Sequence, residues 1–543
     1  MCNATTIIYL IYVIASRSNK LPTSNRTNYS ELRQCIEMPS LIALAIKLMM
    51  LPPWSIAAIG IVEMFEWRFD DIALECELYL GPKGFDAVQV SPVAEPAVFE
   101  RSKSKWLDRY GPVSYLVKSL SGDENEFRDM CQRCYNVGVK VYVEVVINNM
   151  MATYVGKEMG QVFKGLAGSE VNLTGKFYPA VPYSGEHFNN CDYSNTSTDA
   201  EIMKNCEFLF HHDLNQSHPH VRRKVSEFLN HLIELGASGF YVNAALYMWP
   251  EDLKAIYSQL KNTIYDQEAP FIYHDFNTHA GYDVFLIEED DYHDLGKVTE
   301  YGHGLEMEAC FGGGVALKWL SNYGSAEWML MRSEDVISFV SDRNSRMGGD
   351  GLDHKSQPRA YYMATAFTLA WGYGTPRILS SHDEAGKYGL YHDFYNSGED
   401  DNIGGPPVND DGTLERVEPY PNKCGGRWTC EHRSHVVFGM IEFANLARET
   451  NVSNFWDNGN NQISFCRGQV GFVAFNNEDY DLFQRLQTCL PPGKYCDVAT
   501  GFKIGNFCTG RSVDVSYDGT AVILISHTPT DRGFLAIHLN TKV

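Results

Sequence analysis

The chain has 543 residues, with 45 Lys+Arg against 68 Asp+Glu and a net charge of −23 spread along its length. That length suits several domains or one large barrel with attachments, and that charge repels a polyanion over most of the surface, so nucleic acid is excluded as an expected partner. With 44% hydrophobic, 13% aromatic and 21% charged residues, the composition is globular rather than disordered.

Residues 1–60 read as a leader or signal region. An apolar run at 7–15 (IIYLIYVIA) lacks a basic flank, and a second at 41–60 is broken by Lys47 and Pro52-Pro53. Either has the character of a signal h-region. The proline pair and the strand-like IVEMF behind it favour a cleaved signal over a membrane span, so a membrane partner is not expected; an anchored scaffold using 41–60 is the alternative. Several of the fourteen cysteines lie close in sequence, and N-x-S/T triplets occur at Asn172, Asn195, Asn215 and Asn451. Together these favour a secreted, extracellular glycoprotein.

From residue 61, strand-like runs alternate with helices. IVEMF (61–65) precedes a helix over 69–80 that should stop at Gly81-Pro82, and FDAVQV (85–90) follows. A capping pattern Ser121-x-x-Glu124 opens the helix before VKVYVEVVI (139–147). Val221, Val225, Phe228, Leu229 and Leu232 recur at helical spacing up to Gly236, ahead of GFYVN (239–243). PFIYH (270–274), KVTE (297–300), VISFV (336–340) and RILS (377–380) make eight strands. Eight strands alternating with helices predict a (β/α)8 TIM barrel over 61–147 and 217–450. The Asn-, Gly-, Ser- and Tyr-rich stretch 148–216 reads as a small domain inserted after the third strand, and the short alternating strands of 451–543 as a C-terminal all-β sandwich.

Chemistry in such a barrel belongs at the C-terminal strand ends. Those ends carry Glu66-Trp67, Asn148-Asn149, Asn243, Asp275, and Asp342, Arg343 and Asn344. Here the chain resembles the animal α-amylases of the large α-glucan hydrolase family: FEWRFDDIALECELYLGPKGF, VQVSP, YVEVVIN, FYPAVPYSG, CEHR, WDNGNNQ and GKYCDV follow that family's segments in order. The resemblance implies a barrel, an inserted calcium-binding domain and a C-terminal β-sandwich. It also implies retaining hydrolysis of α-1,4-glucosidic bonds by an Asp nucleophile, a Glu acid/base and a stabilising Asp.

At all three places the chain departs from the pattern. In GFYVNAALY the nucleophile position is Asn243, the acid/base position is Asp275, and in FVSDRNSR the stabiliser position is Asn344. An amide is a poor nucleophile, Asp is one carbon shorter than Glu, and Asn344 removes charge that would oppose an oxocarbenium-like transition state. The resemblance assigns substrate contacts to Trp106, Tyr110, Asn149 and Arg343, the last two standing where the family has histidines, while Leu107 replaces a stacking tryptophan. Arg343 is expected to pair with Asp342 or Asp275. Calcium ligands map to the side chains of Asn148 and Asp213 and the backbone of Lys204 and Tyr247; the chloride positions read Tyr241, Asp342 and Arg377, a poor anion site, so chloride is expected to be lost.

The family's bridges map to Cys76–Cys134, Cys191–Cys206, Cys424–Cys430 and Cys496–Cys508; one family bridge is missing at both ends, Lys118 standing at one of them, and Cys466 with Cys489 suggests an added bridge. The resulting expectation is a secreted, monomeric, calcium-stabilised homologue with an impaired hydrolytic site that retains binding of an α-glucan, a related oligosaccharide or a protein. An active α-amylase with unusual catalytic groups is the alternative.

Overall fold

Alternation within the third strand run decides how the chain is layered. Val139, Val141, Val143 and Val145 alternate with Lys140, Tyr142 and Glu144, so period two sends the valines to one face and the larger polar residues to the other. In the computed structural model, which describes residues 59–97, 107–151, 162–191, 199–207, 211–276, 291–348, 351–382, 406–409, 412–420 and 423–543, the valines pack under Phe127 and Met130 of a covering helix. Tyr142 faces the interior with Ile61, Ala87 and Ile337.

Eight parallel strands close the barrel: β1 (Ile61–Met64), β2 (Ala87–Val90), β3 (Lys140–Val145), β4 (Gly239–Val242), β5 (Phe271–His274), β6 (Lys297–Glu300), β7 (Val336–Ser338) and β8 (Thr375–Ser380), with β8 paired back onto β1. All eight expected strands are present. Two helix ends differ from expectation. Helix α1 (Phe69–Glu75) continues through a wider turn at Cys76–Leu80 and a last turn at Gly81–Lys83, stopping only at Gly84, where φ is 76°. Pro82 lies within this last turn, so it does not end the helix by itself. Helix α2 (Glu124–Asn136) is capped by Asp123 and Glu126 rather than by Ser121 and Glu124, because the Ser121 hydroxyl accepts from the buried Arg109 guanidinium. Helix α3 (Pro219–Leu235) ends at Gly236 as its periodicity requires.

Between β3 and α3 the chain forms a hairpin, Val162–Lys164 with Glu170–Asn172, and a short helix, Ala200–Asn205. Asn149–Met150 pairs antiparallel with His212–Asp213 and brings the start and end of this excursion together. Near the C-terminus, Val452–Asp457, Gln462–Arg467, Gly471–Asn476 and Phe534–His538 form a four-stranded antiparallel sheet. One face, with Phe465, Phe475 and Phe534, packs on the barrel side, and the other, with Phe472, Leu535 and Ile537, covers a second core with Leu482, Tyr495 and Ile523.

Five disulfides occur among the described residues: Cys76–Cys134, Cys191–Cys206, Cys424–Cys430, Cys496–Cys508 and the added Cys466–Cys489. Cys131 and Cys310 are buried thiols. No helix among the described residues is long and apolar enough to cross a membrane. Residues 7–15, nearly all of 41–60, Trp106 and Asn195 lie outside the described residues.

Candidate active site

The inward faces of the strands carry a polar layer. Glu63 on β1 lies beside Gln89 on β2, and Tyr241 on β4 lies between Glu144 on β3 and Tyr273 on β5. From β8, Arg377 donates to Gln89 Oε1 at 3.0 Å, while its guanidinium stands 3.4 Å from Asp342 and 3.7 Å from Glu63.

Arg343 dominates the mouth. Its two terminal nitrogens donate to the two Glu144 oxygens at 2.8 and 2.5 Å, and one of them also donates to Glu63 at 3.0 Å. Only 4% exposed, the guanidinium lies 5.4 Å from the Tyr110 ring centre and 5.6 Å from that of Tyr241. The expected pairing with Asp342 or Asp275 is thus corrected. Asp342 is engaged by Ser345 N–H, by Tyr301 and by Arg377, whereas Glu63 and Glu144 offer two buried carboxylates, one in bidentate geometry that suits Arg. Burial pushes the Glu144 carboxyl up to about 7, with Arg343 pulling back. Burial likewise raises Glu63, opposed first by Arg377, and Asp275, opposed first by Arg343.

Of the three positions implied as catalytic, Asn243 and Asp275 directly follow their strands, as expected, whereas Asn344 lies past the end of β7, in the short helix Arg343–Gly348. Asn243 follows β4, and its amide donates to Glu144 Oε1 at 3.0 Å. Asp275 follows β5 and is 8% exposed. Asn344, after β7, donates to the Tyr301 hydroxyl at 3.0 Å; that hydroxyl donates to Asp342 at 2.9 Å and stands 3.4 Å from Asp275. Tyr301 therefore ties Asp275, Asp342 and Asn344 together. Sequence reasoning missed it, along with Glu63 and Gln89. Glu63 carried a signal, a lone charge inside an apolar strand; Tyr301 opens a helix and carried none.

The positions that the resemblance implies as substrate contacts are also drawn inward. The Asn149 amide donates to the Tyr110 carbonyl at 3.0 Å, and the Tyr110 hydroxyl donates to Glu144 at 3.3 Å. Two other strand-end residues serve structure: Glu66 is ion-paired with Arg109 at 2.6 Å, and Trp67 packs on Trp428 and His432. At the chloride positions Tyr241 stacks on Tyr273 at 4.9 Å, and Asp342 and Glu63 already supply negative charge to Arg377.

At the junction of barrel and insertion, Asn148 is buried with neither side-chain polar atom hydrogen-bonded, and Leu214 N–H donates to its carbonyl at 2.9 Å. Beside it Asp213 pairs in register with Asn149. Burial holds the Asp213 carboxyl well above the usual range, with one donor, Asn189, at 2.7 Å. An orphaned amide oxygen next to a buried carboxylate fits a hard cation. The helix carrying Lys204 packs on the turn Ala245–Tyr247, while the Lys204 ammonium turns away onto the Trp249 ring at 4.7 Å. Among the described residues no group of three or more His, Cys, Asp or Glu side chains is placed to hold a metal. Any ion here would rest on amide, carboxylate and backbone carbonyl oxygens, a calcium-type set.

Residues 453–540 match the family described as the α-amylase C-terminal all-beta domain. Over 493 residues the chain is 41% identical to an α-amylase-related protein of Drosophila pseudoobscura pseudoobscura and, equally, to an α-amylase of Tribolium castaneum, covering 89% of this chain and 94% of each relative. A crystal structure of a variant of α-amylase I from Eisenia fetida with maltohexaose superposes with a TM-score of 0.79 at 33% identity, over 89% of this chain and 97% of that one. The barrel, the C-terminal domain and these full-length similarities agree: the chain belongs to the α-amylase family.

Proposed function

We propose that the protein is a secreted, calcium-stabilised α-amylase homologue that binds an α-glucan without hydrolysing it at a useful rate. The observation that carries this reading is the Asn243 amide. It stands at the position of the nucleophile and donates to Glu144 at 3.0 Å, so the group there is neither anionic nor free to attack a sugar. Asp275 remains as a shortened acid, and no carboxylate occupies the Asn344 position beside it.

Secretion is supported by the five disulfides, which persist in oxidising compartments. Glucan binding is suggested by the maltohexaose held in the Eisenia relative. Titrating the purified chain with maltohexaose in a calorimeter, with the sugar analysed afterwards, tests the reading. Binding heat with intact hexasaccharide is the expected result; no binding, or shortened products, would contradict it.

Asn148 and Asp213, with the carbonyls of Lys204 and Tyr247, are the residues that would hold calcium. The ion would neutralise the buried Asp213 and join the two ends of the insertion. Excess chelator is accordingly expected to lower the melting temperature, and calcium to restore it, by linkage; an unchanged melting curve would count against the assignment. Chloride should stabilise no more than nitrate at equal ionic strength, because the surroundings of Arg377 already provide carboxylates.

A further inference from the structure

Three histidines meet where the insertion touches the barrel. His187 lies in the turn Gly185–His187, and His218 and His220 stand at the start of α3. Ring centres are 4.9 Å apart for His187 and His218 and 4.5 Å for His187 and His220. Each ring is held by a donor that cannot reverse its role. His187 Nδ1 accepts the Ser184 backbone N–H at 2.9 Å, His218 Nδ1 accepts the His220 backbone N–H at 3.1 Å and so caps α3, and His220 Nδ1 accepts from Arg223 at 2.6 Å. A guanidinium and a backbone N–H only donate, so all three bonds require Nδ1 to be unprotonated. His220 Nε2 donates to the Pro182 carbonyl at 2.9 Å, which leaves that ring no nitrogen for a metal.

We propose that His187, His218 and His220 form an acid-released clasp between the insertion and the barrel. A proton on any Nδ1 turns an acceptor into a donor facing an N–H donor and breaks the bond it makes; at His187 the Ser184 hydroxyl, 3.2 Å from Nδ1, can accept the new N–H, but the Ser184 backbone N–H loses its acceptor all the same. The new imidazolium then faces two further imidazoles, Arg223 and the positive end of the 17-residue helix α3. Around the trio stand the Tyr183 ring, Glu186 on the same turn as His187, and Glu227, which is taken up by Lys224 at 2.7 Å and Arg223 at 3.8 Å. Among the described residues around the trio, Glu186 is the carboxylate with no basic partner. Burial, then His220 and His218, lower the affinity of His187 for a proton. The sign follows. For His187 the unfolded chain binds the proton more readily, so its bond to Ser184 is intact above the ordinary imidazole range and weakens as pH falls through it.

Hydrogen exchange of the full chain, corrected for intrinsic rates, tests this at the two donor amides, Ser184 and His220. Protection there should fall at least about tenfold between about pH 7.5 and about pH 5.5, while β3 keeps its protection. In His187→Asn with His218→Asn, whose side-chain oxygens accept the same N–H groups without titrating, the fall should shrink to about twofold or less. If that double variant does not fold, His218→Asn alone, which keeps the helix cap, should reduce the fall at least about threefold. Unchanged protection in the unmodified chain, or an undiminished fall in the variant that folds, would overturn the clasp.

Discussion

Arg343→Met is expected to destabilise the barrel by about 3–5 kcal/mol, among the largest single effects available in the chain, because it leaves two buried carboxylates without their shared cation. Glu144 loses both bonds of a bidentate pair and Glu63 loses a donor at 3.0 Å. Arg343→Lys should recover only part, since one ammonium cannot reproduce the fork. The pH dependence gives a second check. Without Arg343 the folded-state affinity of Glu63 and Glu144 for protons rises further above the unfolded value, so the variant loses stability as pH rises through the shifted range and regains it as pH falls. Denaturant melts at about pH 8 and about pH 5.5 should therefore show the gap to the unmodified chain narrowing on acidification. A constant gap, or one below about 1 kcal/mol, would mean that Arg343 is a surface-type pair.

Restoring the implied nucleophile is expected to fail in an instructive way. Asn243→Asp puts a carboxylate where an amide now donates to Glu144 at 3.0 Å. Two carboxylates at that separation do not both ionise, so one takes a proton, and Arg343 competes for whichever stays charged. The single reversion should both lower stability and leave turnover more than about a thousandfold below a relative with intact carboxylates, since such groups act as a unit. The triple change Asn243→Asp, Asp275→Glu and Asn344→Asp should still turn over slowly, because Arg343 remains bound across Glu144 and Glu63 in the mouth. Initial rates on a soluble maltooligosaccharide check both statements. Brisk hydrolysis by the single reversion would show that the nucleophile alone was missing.

The architecture was legible because it rests on local pattern. Strand-length alternation and helical spacing fixed eight strands, and cysteine positions matched five bridges, including the added Cys466–Cys489. Cap chemistry was less legible, since whether Ser121 or Asp123 opens α2 depends on Arg109 reaching Ser121 from another part of the chain. In the site, residue types at strand ends were readable one at a time, but their partners were not. Arg343 bypasses its neighbour Asp342 for Glu63, 280 positions away in sequence. Tyr301 joins Asp275 to Asn344 from the start of a helix that no motif marks. Long-range choices of this kind are made by burial and by competition among carboxylates for two guanidinium groups, neither of which sequence spacing records.

The most direct measurement is the fate of maltohexaose incubated for many turnover times of an active relative with the purified chain in buffer containing calcium, followed by chromatographic separation of the sugars. The hexasaccharide should be recovered unchanged. Shorter maltooligosaccharides that accumulate in proportion to the protein, and disappear with Asp275→Ala, would contradict the account and make the chain a working hydrolase.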